Sequence, residues 1–310
     1  MNSINFVLLG DASIAAQLGK KGTATDIAIY DRKTPDTIYT WTAPVAFPEK
    51  IQPLMQSVNI AEYAILNASR LDRYLGEQIV ALDSAGFRDG FVLHSYDVDR
   101  EKLRAMLKTT MLSNFHFLDS IDDPKEEMVK LKPKAVEGPV LVPADHAFDV
   151  KGVGTVVLGV VKQGSVKVHD DLAIMPQKKS VIVKSIQMHD DPVEISHSPA
   201  RVGLAIKGAV ADDISRGDVI CEPGSVKVSG SKLSMKFGKS PFFKDELLEN
   251  QMCMISVGMQ IRAARTKMDR DSGMMEIILD KPIAYQEGQI CVILKPDSQG
   301  SRIVGKGTLQ

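Results

Sequence analysis

The sequence has few cysteines, few aromatics and no long apolar run. Its three cysteines (Cys221, Cys253, Cys291) lie far apart with no CxxC pair, which excludes a zinc ribbon or disulfide framework and fits small buried hydrophobes in a reducing compartment. Aromatics make up only 5%, too few for the interleaved aromatic and basic pattern that stacks bases. Uncharged apolar runs such as Gly152 to Val161 fall well short of the ~20 residues a spanning helix needs. The start, Met1 to Phe6, has no basic n-region or small-residue cleavage site, so a cytoplasmic location is expected. What remains is 310 residues at 44% hydrophobic and 25% charged: two or three folded domains rather than disorder or a collagen-like repeat.

Net charge is −1, but it is unevenly spread. Residues 225–310 carry 13 basic against 9 acidic side chains, while residues 1–134 and 135–224 are slightly acidic. Only the last third could face a phosphate backbone, and a solvated mixed surface accounts for that excess equally well.

Residues 1–134 alternate short apolar runs with amphipathic stretches. Ile4 to Leu9, Asp26 to Tyr30, Thr37 to Thr42, Ala61 to Asn67, Gly90 to His94 and Asn114 to Leu118 read as strands. Leu71, Leu75, Ile79 and Leu82 share one helical face, and Leu103, Met106 and Leu107 another. Strands separated by such helices predict a parallel sheet covered on both faces. After Lys134 the helical periodicity stops, and short β-branched runs punctuated by Gly, Pro and paired Asp follow, with a second break at Glu222-Pro223-Gly224-Ser225. The expected architecture is an α/β domain (1–134) and two antiparallel β-barrels (135–224 and 225–310).

The first strand runs into Gly10-Asp11-Ala12-Ser13-Ile14-Ala15-Ala16-Gln17, where an α/β nucleotide-binding domain carries G-x-x-x-x-G-K-[ST]. That loop closes backbone N–H groups on phosphates, neutralises them with Lys and holds Mg²⁺ through the hydroxyl. Only Gly10 is present; Ala15, Ala16 and Gln17 stand at the other three positions. Gly300 to Gly307 fits G-x-x-x-x-G-K but has no helix after it, and Gly238-Lys239-Ser240 lacks the first glycine; both are read as chance. His169-Asp170-Asp171 and His189-Asp190-Asp191 are read as solvated turns rather than metal ligands, and the methionines between Met252 and Met275 as barrel core. No catalytic Ser/His/Asp or Cys/His set emerges, and no metal or cofactor is expected.

Residues 148 to 220 resemble the second domain of translational GTPases of the EF-Tu type. The likeness starts at Phe148-Asp149-Val150-Lys151-Gly152-Val153-Gly154-Thr155 and continues in register through Ser185-Ile186-Gln187-Met188-His189, Arg201-Val202-Gly203-Leu204-Ala205 and Asp213-Ile214-Ser215-Arg216-Gly217-Asp218-Val219-Ile220. Within that family the selenocysteine-specific (SelB-like) elongation factors look nearest, and Arg302 to Leu309 resembles the closing strand of the third domain. The resemblance makes the first domain a degenerate P-loop-type domain. In the switch I segment Lys21-Gly22-Thr23-Ala24, Ala24 replaces the Mg²⁺-binding Thr; in Thr42-Ala43-Pro44-Val45-Ala46, Thr42, Val45 and Ala46 replace the Asp, Gly and catalytic His of D-x-P-G-H. His94-Ser95-Tyr96-Asp97 stands for N-K-x-D with only the Asp kept, and Phe117-Leu118-Asp119 does not match S-A-[LK]. Gly10 and Asp97 are thus the vestiges of a nucleotide site, although Asp97 also suits a helix cap, and His94 suits a structural position. Against the family plan the α/β domain is short by the helix and effector loop that carry the switch.

These readings converge on a non-enzymatic, three-domain pseudo-GTPase. RNA, such as tRNA or the ribosome, is the expected partner; DNA and membranes are not. A protein-interaction scaffold is the alternative, and a working GTP-dependent elongation factor a third. In the family the barrels hold the aminoacyl end and the acceptor and T arms. Arg262, Arg265, Lys267 and Arg270, four cations within nine residues beside a strand, are the candidate RNA contacts.

Overall fold

A computed structural model describes residues 1–120, 122–246, 249–269 and 272–310. The N-terminal part is a seven-stranded sheet built from β1 (Asn2–Gly10), β2 (Lys20–Ala24), β3 (Ala28–Lys33), β4 (Thr37–Ala43), β5 (Tyr63–Ala68), β6 (Gly90–His94) and β7 (His116–Phe117). The strand order is β2-β3-β4-β1-β5-β6-β7. Strands β4, β1, β5, β6 and β7 run parallel, while β2, β3 and β4 pair antiparallel. The sheet is therefore mixed rather than wholly parallel, because short turns join β2 to β3 and β3 to β4 where a parallel crossover needs a helix.

Both faces are covered, as the alternation of β1 requires. Val7 and Leu9 point into a core with Leu54, Val58, Ile79 and Leu103, from α2 (Gln52–Ile60), α3 (Arg73–Ala85) and α4 (Arg100–Lys108). Phe6 and Leu8 point the other way, with Trp41, Tyr63 and Leu18. Trp41 is fully buried and stacks on Phe6 at 6.0 Å. Helix α3 starts where Asp72 accepts from the Tyr74 and Leu75 amides and stops at Gly86, φ 83°, a left-handed position that favours glycine. This second face is sparsely clad: α1 is four residues long (Ala15–Leu18), and α5 spans Asp122–Met128.

Two closed, six-stranded antiparallel barrels follow. The first runs Asp171–Met175, Val219–Cys221, Leu141–Val150, Gly154–Val160, Arg201–Lys207, Lys179–Met188 and back to the start, around Val142, Val157, Ile174, Val183 and Leu204. The second runs Lys232–Lys239, Met274–Leu279, Gln260–Met268, Met252–Val257, Ile290–Leu294, Ile303–Leu309, around Met235, Ile255, Met275, Ile277 and Ile293. Of the methionine stripe, Met275 is core, Met254 faces the α/β domain and Met252 is exposed. Period-two burial splits the stripe between faces. No helix among the described residues is long and apolar enough to cross a membrane.

The three parts pack on one another. Val292, Leu294 and Ile303 of the second barrel join the α2/α3 core, and Ile60, Val160 and Met259, one from each part, form a small cluster of their own.

Candidate functional site

At the end of β1, Gly10 takes φ 82°, and a Cβ placed there would lie 2.0 Å from the Asn67 carbonyl oxygen. The Asp11 amide donates to that oxygen at 2.9 Å, and Asn67 Nδ2 returns a bond to the Asp11 carbonyl at 2.8 Å. The loop after β1 is thus fastened to β5. It turns through a short 3-10 segment capped by Asp11 (to the Ser13 amide, 2.9 Å) into α1. Ala16 and Gln17, at the Lys and Ser/Thr positions, are exposed on that single turn.

Residues Lys21 to Ala24 lie in strand β2 at the sheet edge, paired to β3 with an irregularity between Lys21 and Ala24. Thr42 is buried within β4, its hydroxyl oxygen without a partner among the described residues, and the Ala46 amide donates to the Asp26 carbonyl at 3.0 Å. At the base position, Asp97 is exposed in the turn closed by Val98 N–H to the Ser95 carbonyl. The helix cap is Asp99, not Asp97: its carboxylate accepts from the Glu101 and Lys102 amides at 3.0 Å. Gly10 closes β1, and Asp97 lies three residues beyond the end of β6. His94 Nδ1 sits 3.1 Å from the Ser95 carbonyl beside the Phe117 ring, a structural placement. The two glycine-rich decoys are register partners: Gly238 lies opposite Lys306 and Lys239 opposite Gly305. Gly305 and Gly307 are packing requirements, since a Cβ there would meet the Gly238 and Lys236 carbonyls at 2.3 and 2.4 Å.

The densest polar chemistry lies between the domains, which sequence reasoning missed. Glu77 of α3 and Arg302 form a bidentate pair (Nε at 3.0 and 3.1 Å, Nη2 at 2.5 Å), with the Arg302 amide also on Glu77 at 2.7 Å; Arg302 Nη1 reaches the Pro48 carbonyl at 2.8 Å. Arg216 of the first barrel joins Asp26 at 2.7 Å, Thr25 at 3.2 Å and Gln56 at 3.3 Å. Lys162 caps the end of α2 through the Ile60 and Ala61 carbonyls at 3.2 and 3.3 Å, a cation at the negative end of a helix. Burial pushes the Lys162 ammonium down from its ordinary value, with Glu62 opposing. His169, His189 and Asp190 all take positive φ, as turn residues do, but His189 also meets Asp31 at 2.7 Å and Asp191 meets Lys33 across the same domain boundary. No signal in the sequence could have joined residues such as 77 and 302.

Within the first barrel Asp145, 2% exposed, is held by Arg201 and by His146 at 2.6 Å. Burial pushes its carboxyl up, but Arg201 and His146 more than offset this and bring it down to about 2. An unfolded Asp titrates near ~3.9, so this group contributes about 2 kcal/mol above pH ~4 that is lost as pH falls towards 2. The urea midpoint should fall through that window, and Arg201→Met should flatten this part of the profile; an unchanged slope would remove the assignment.

Alternation along Gln260–Met268 divides the cation cluster. Arg265 and Lys267 are exposed, on the outer face. Arg262 shares the parity of buried Ala264 and Thr266 and points toward the first barrel, where Nη2 lies 3.4 Å from buried Asp218. It is thus an interbarrel residue rather than an outer-face contact. Arg270 lies outside the described residues. Lys232 and Lys236, exposed on the neighbouring part of the barrel, extend the outer face, with Glu276 between them and Lys267 and paired to Lys232 at 2.6 Å. The period-two pattern Lys232, Ser234, Lys236 was the overlooked signal.

Residues 154–221 match the family Elongation factor Tu domain 2. The chain is 34% identical over 300 residues to Uncharacterized protein MJ0325 of Methanocaldococcus jannaschii, covering 96% of both chains. It is 33% identical over 144 residues to the selenocysteine-specific elongation factor of the same organism, covering 46% of this chain and 29% of that protein. Its fold matches the crystal structure of translation elongation factor SelB from Methanococcus maripaludis in complex with the GTP analogue GppNHp. The TM-score is 0.85 at 21% identity over 100% of this chain and 79% of that one. With an α/β domain and two barrels in that arrangement, the chain belongs to the EF-Tu-like translational GTPase superfamily, in one family with MJ0325 and close to the selenocysteine-specific elongation factors.

Proposed function

We propose that the chain is a non-catalytic, elongation-factor-like protein that binds RNA of the tRNA type, alone or on the translation machinery, without GTP. The observation that carries the RNA part is the outer face of the second barrel, where Lys232 and Lys236 are exposed on one strand and Arg265 and Lys267 on another, with Glu276 on the strand between them. Such a face neutralises phosphates and releases counterions, so affinity falls steeply with salt. The fastening of Asp11 to Asn67 and the one-turn α1 support the non-catalytic part, as they leave little backbone to wrap a triphosphate.

Filter binding to tRNA at low salt tests it. Wild-type protein should bind. Reversing Arg265 and Lys267 together to Glu should weaken binding at least 100-fold, and the logarithmic salt slope should drop by about 2. No affinity at low salt, or affinity indifferent to the two reversals, would sink the proposal.

A further inference from the structure

The two barrels meet along a groove of about 530 Å³, walled by Pro176 and Ser215 on one side and by Ile261, Arg262, Lys281 and Pro282 on the other. Beneath it lies Asp218, with no exposed surface, which accepts from the Ser215 amide at 2.6 Å and from Gln177. Gln177 spends its second N–H on the Asp213 carbonyl at 3.2 Å, so Asp218 and Gln177 are satisfied within the first barrel.

Arg262 is not. Nη1 goes to the carbonyl of its neighbour Ile261 at 3.1 Å, and Nη2 makes only the long contact with Asp218. Nε is buried and has no partner among the described residues. A guanidinium satisfied on one corner and loosely held on another leaves Nε and Nη2 with N–H groups to spare, and a turn of the side chain toward the groove would offer that edge for two parallel bonds to one anion. Exposed Lys281 stands on the same rim, and it and the Ser215 hydroxyl have no hydrogen-bond partner among the described residues. One exposed acid, Asp280, is also on the rim.

We propose that this interbarrel groove is a phosphate-binding site formed by Arg262, Lys281 and the Ser215 hydroxyl. A guanidinium edge, an ammonium and a hydroxyl brought together from two barrels suit the non-bridging oxygens of a phosphate group, three in a monoester and two in a diester, the monoester using all three groups at once. The apolar walls of Pro176, Ile261 and Pro282 flank the phosphate where a sugar or base would follow, and the volume lies in the range of small-molecule sites. Two sources carry this chemistry: a free nucleoside monophosphate and a phosphodiester of an RNA strand. In the second case the site rests on the RNA reading above. Arg262 then lies about 10 Å along the strand from Arg265, and the groove adds a contact to the outer face.

Calorimetry at low salt with AMP, adenosine and a single-stranded RNA hexamer tests the site. AMP should bind at least tenfold more tightly than adenosine, and both Lys281→Ala and Arg262→Lys should weaken AMP at least fivefold; Arg262→Lys keeps the charge but loses the paired bonds. Lys281 is exposed, so its variant carries the test if Arg262→Lys melts early. Should only the hexamer bind, and Lys281→Ala weaken it, the phosphate comes from RNA. Binding of AMP and hexamer that ignores Lys281→Ala, or binding of neither, overturns the site. Reversing Arg265 and Lys267 should leave AMP affinity unchanged, so failure of the outer-face reading is distinguishable from failure of this one.

Discussion

Glu77→Ala should destabilise the protein by about 3–5 kcal/mol, the scale for removing one partner of a buried pair. Glu77 is 6% exposed and Arg302 11%, so truncation leaves a guanidinium that water reaches poorly. Arg302 also stands over the Phe47 ring and on the Pro48 carbonyl, and loses the anchor that aims it at both. At roughly 2–4 °C per kcal/mol for a chain of this general size, the melting temperature should drop by roughly 6–20 °C. Glu77→Gln keeps the shape and part of the hydrogen bonding and should fall between. Small-angle scattering near the melting onset should show the variant expanding, since the contact joins α3 to the second barrel. A melting temperature within a degree of wild type would mean that the pair merely breaks even against desolvation.

The second large effect concerns nucleotide. Titration of GTP with Mg²⁺ to about 100 μM should give no binding heat. Loss of two or three charge-assisted contacts at ~1.5–3 kcal/mol each lowers affinity by roughly 10²- to 10⁶-fold. The geometry makes a stronger statement than the missing residues do. Writing Gly, Lys and Thr back at Ala15, Ala16 and Gln17 should also fail, because α1 ends at Leu18 and the chain enters β2 at Lys20. A phosphate-binding loop needs a following helix to aim its amides and dipole, and here that helix is one turn. Micromolar GTP binding by the wild-type chain would overturn this reading.

Strands with clean apolar runs, such as Gly90–His94 and Val219–Cys221, are legible in the sequence because burial on both faces or in a barrel wall demands such runs. Leu141–Val150 was not, because its middle reads Pro143, Asp145, His146, and Asp145 is tolerable there only with Arg201 beside it. Helix α2 was hidden for a related reason. It is buried nearly all round, including Gln56 and Ser57, so no amphipathic stripe marks it, and Gln56 donates to the Met259 carbonyl of the second barrel at 3.2 Å. The candidate site divides the same way. The strand-to-loop pattern pointed to Gly10 and the family resemblance to Asp97, but the parity that turns Arg262 inward and Arg265 outward, and the contacts of Glu77 and Lys162, depend on partners that local pattern does not encode.

Val292, Leu294 and Ile303 complete the apolar face presented by Leu54, Leu75 and Leu82, and that has a consequence for synthesis. A ribosome adding about 5–20 residues per second delivers those last side chains some 10–40 s after α3 has been made. Through that interval the face of α2 and α3 lacks its native cover, however quickly the sheet beneath it forms. The nascent chain therefore displays a sticky surface during its own translation, and the last strands of the second barrel are what finally close it.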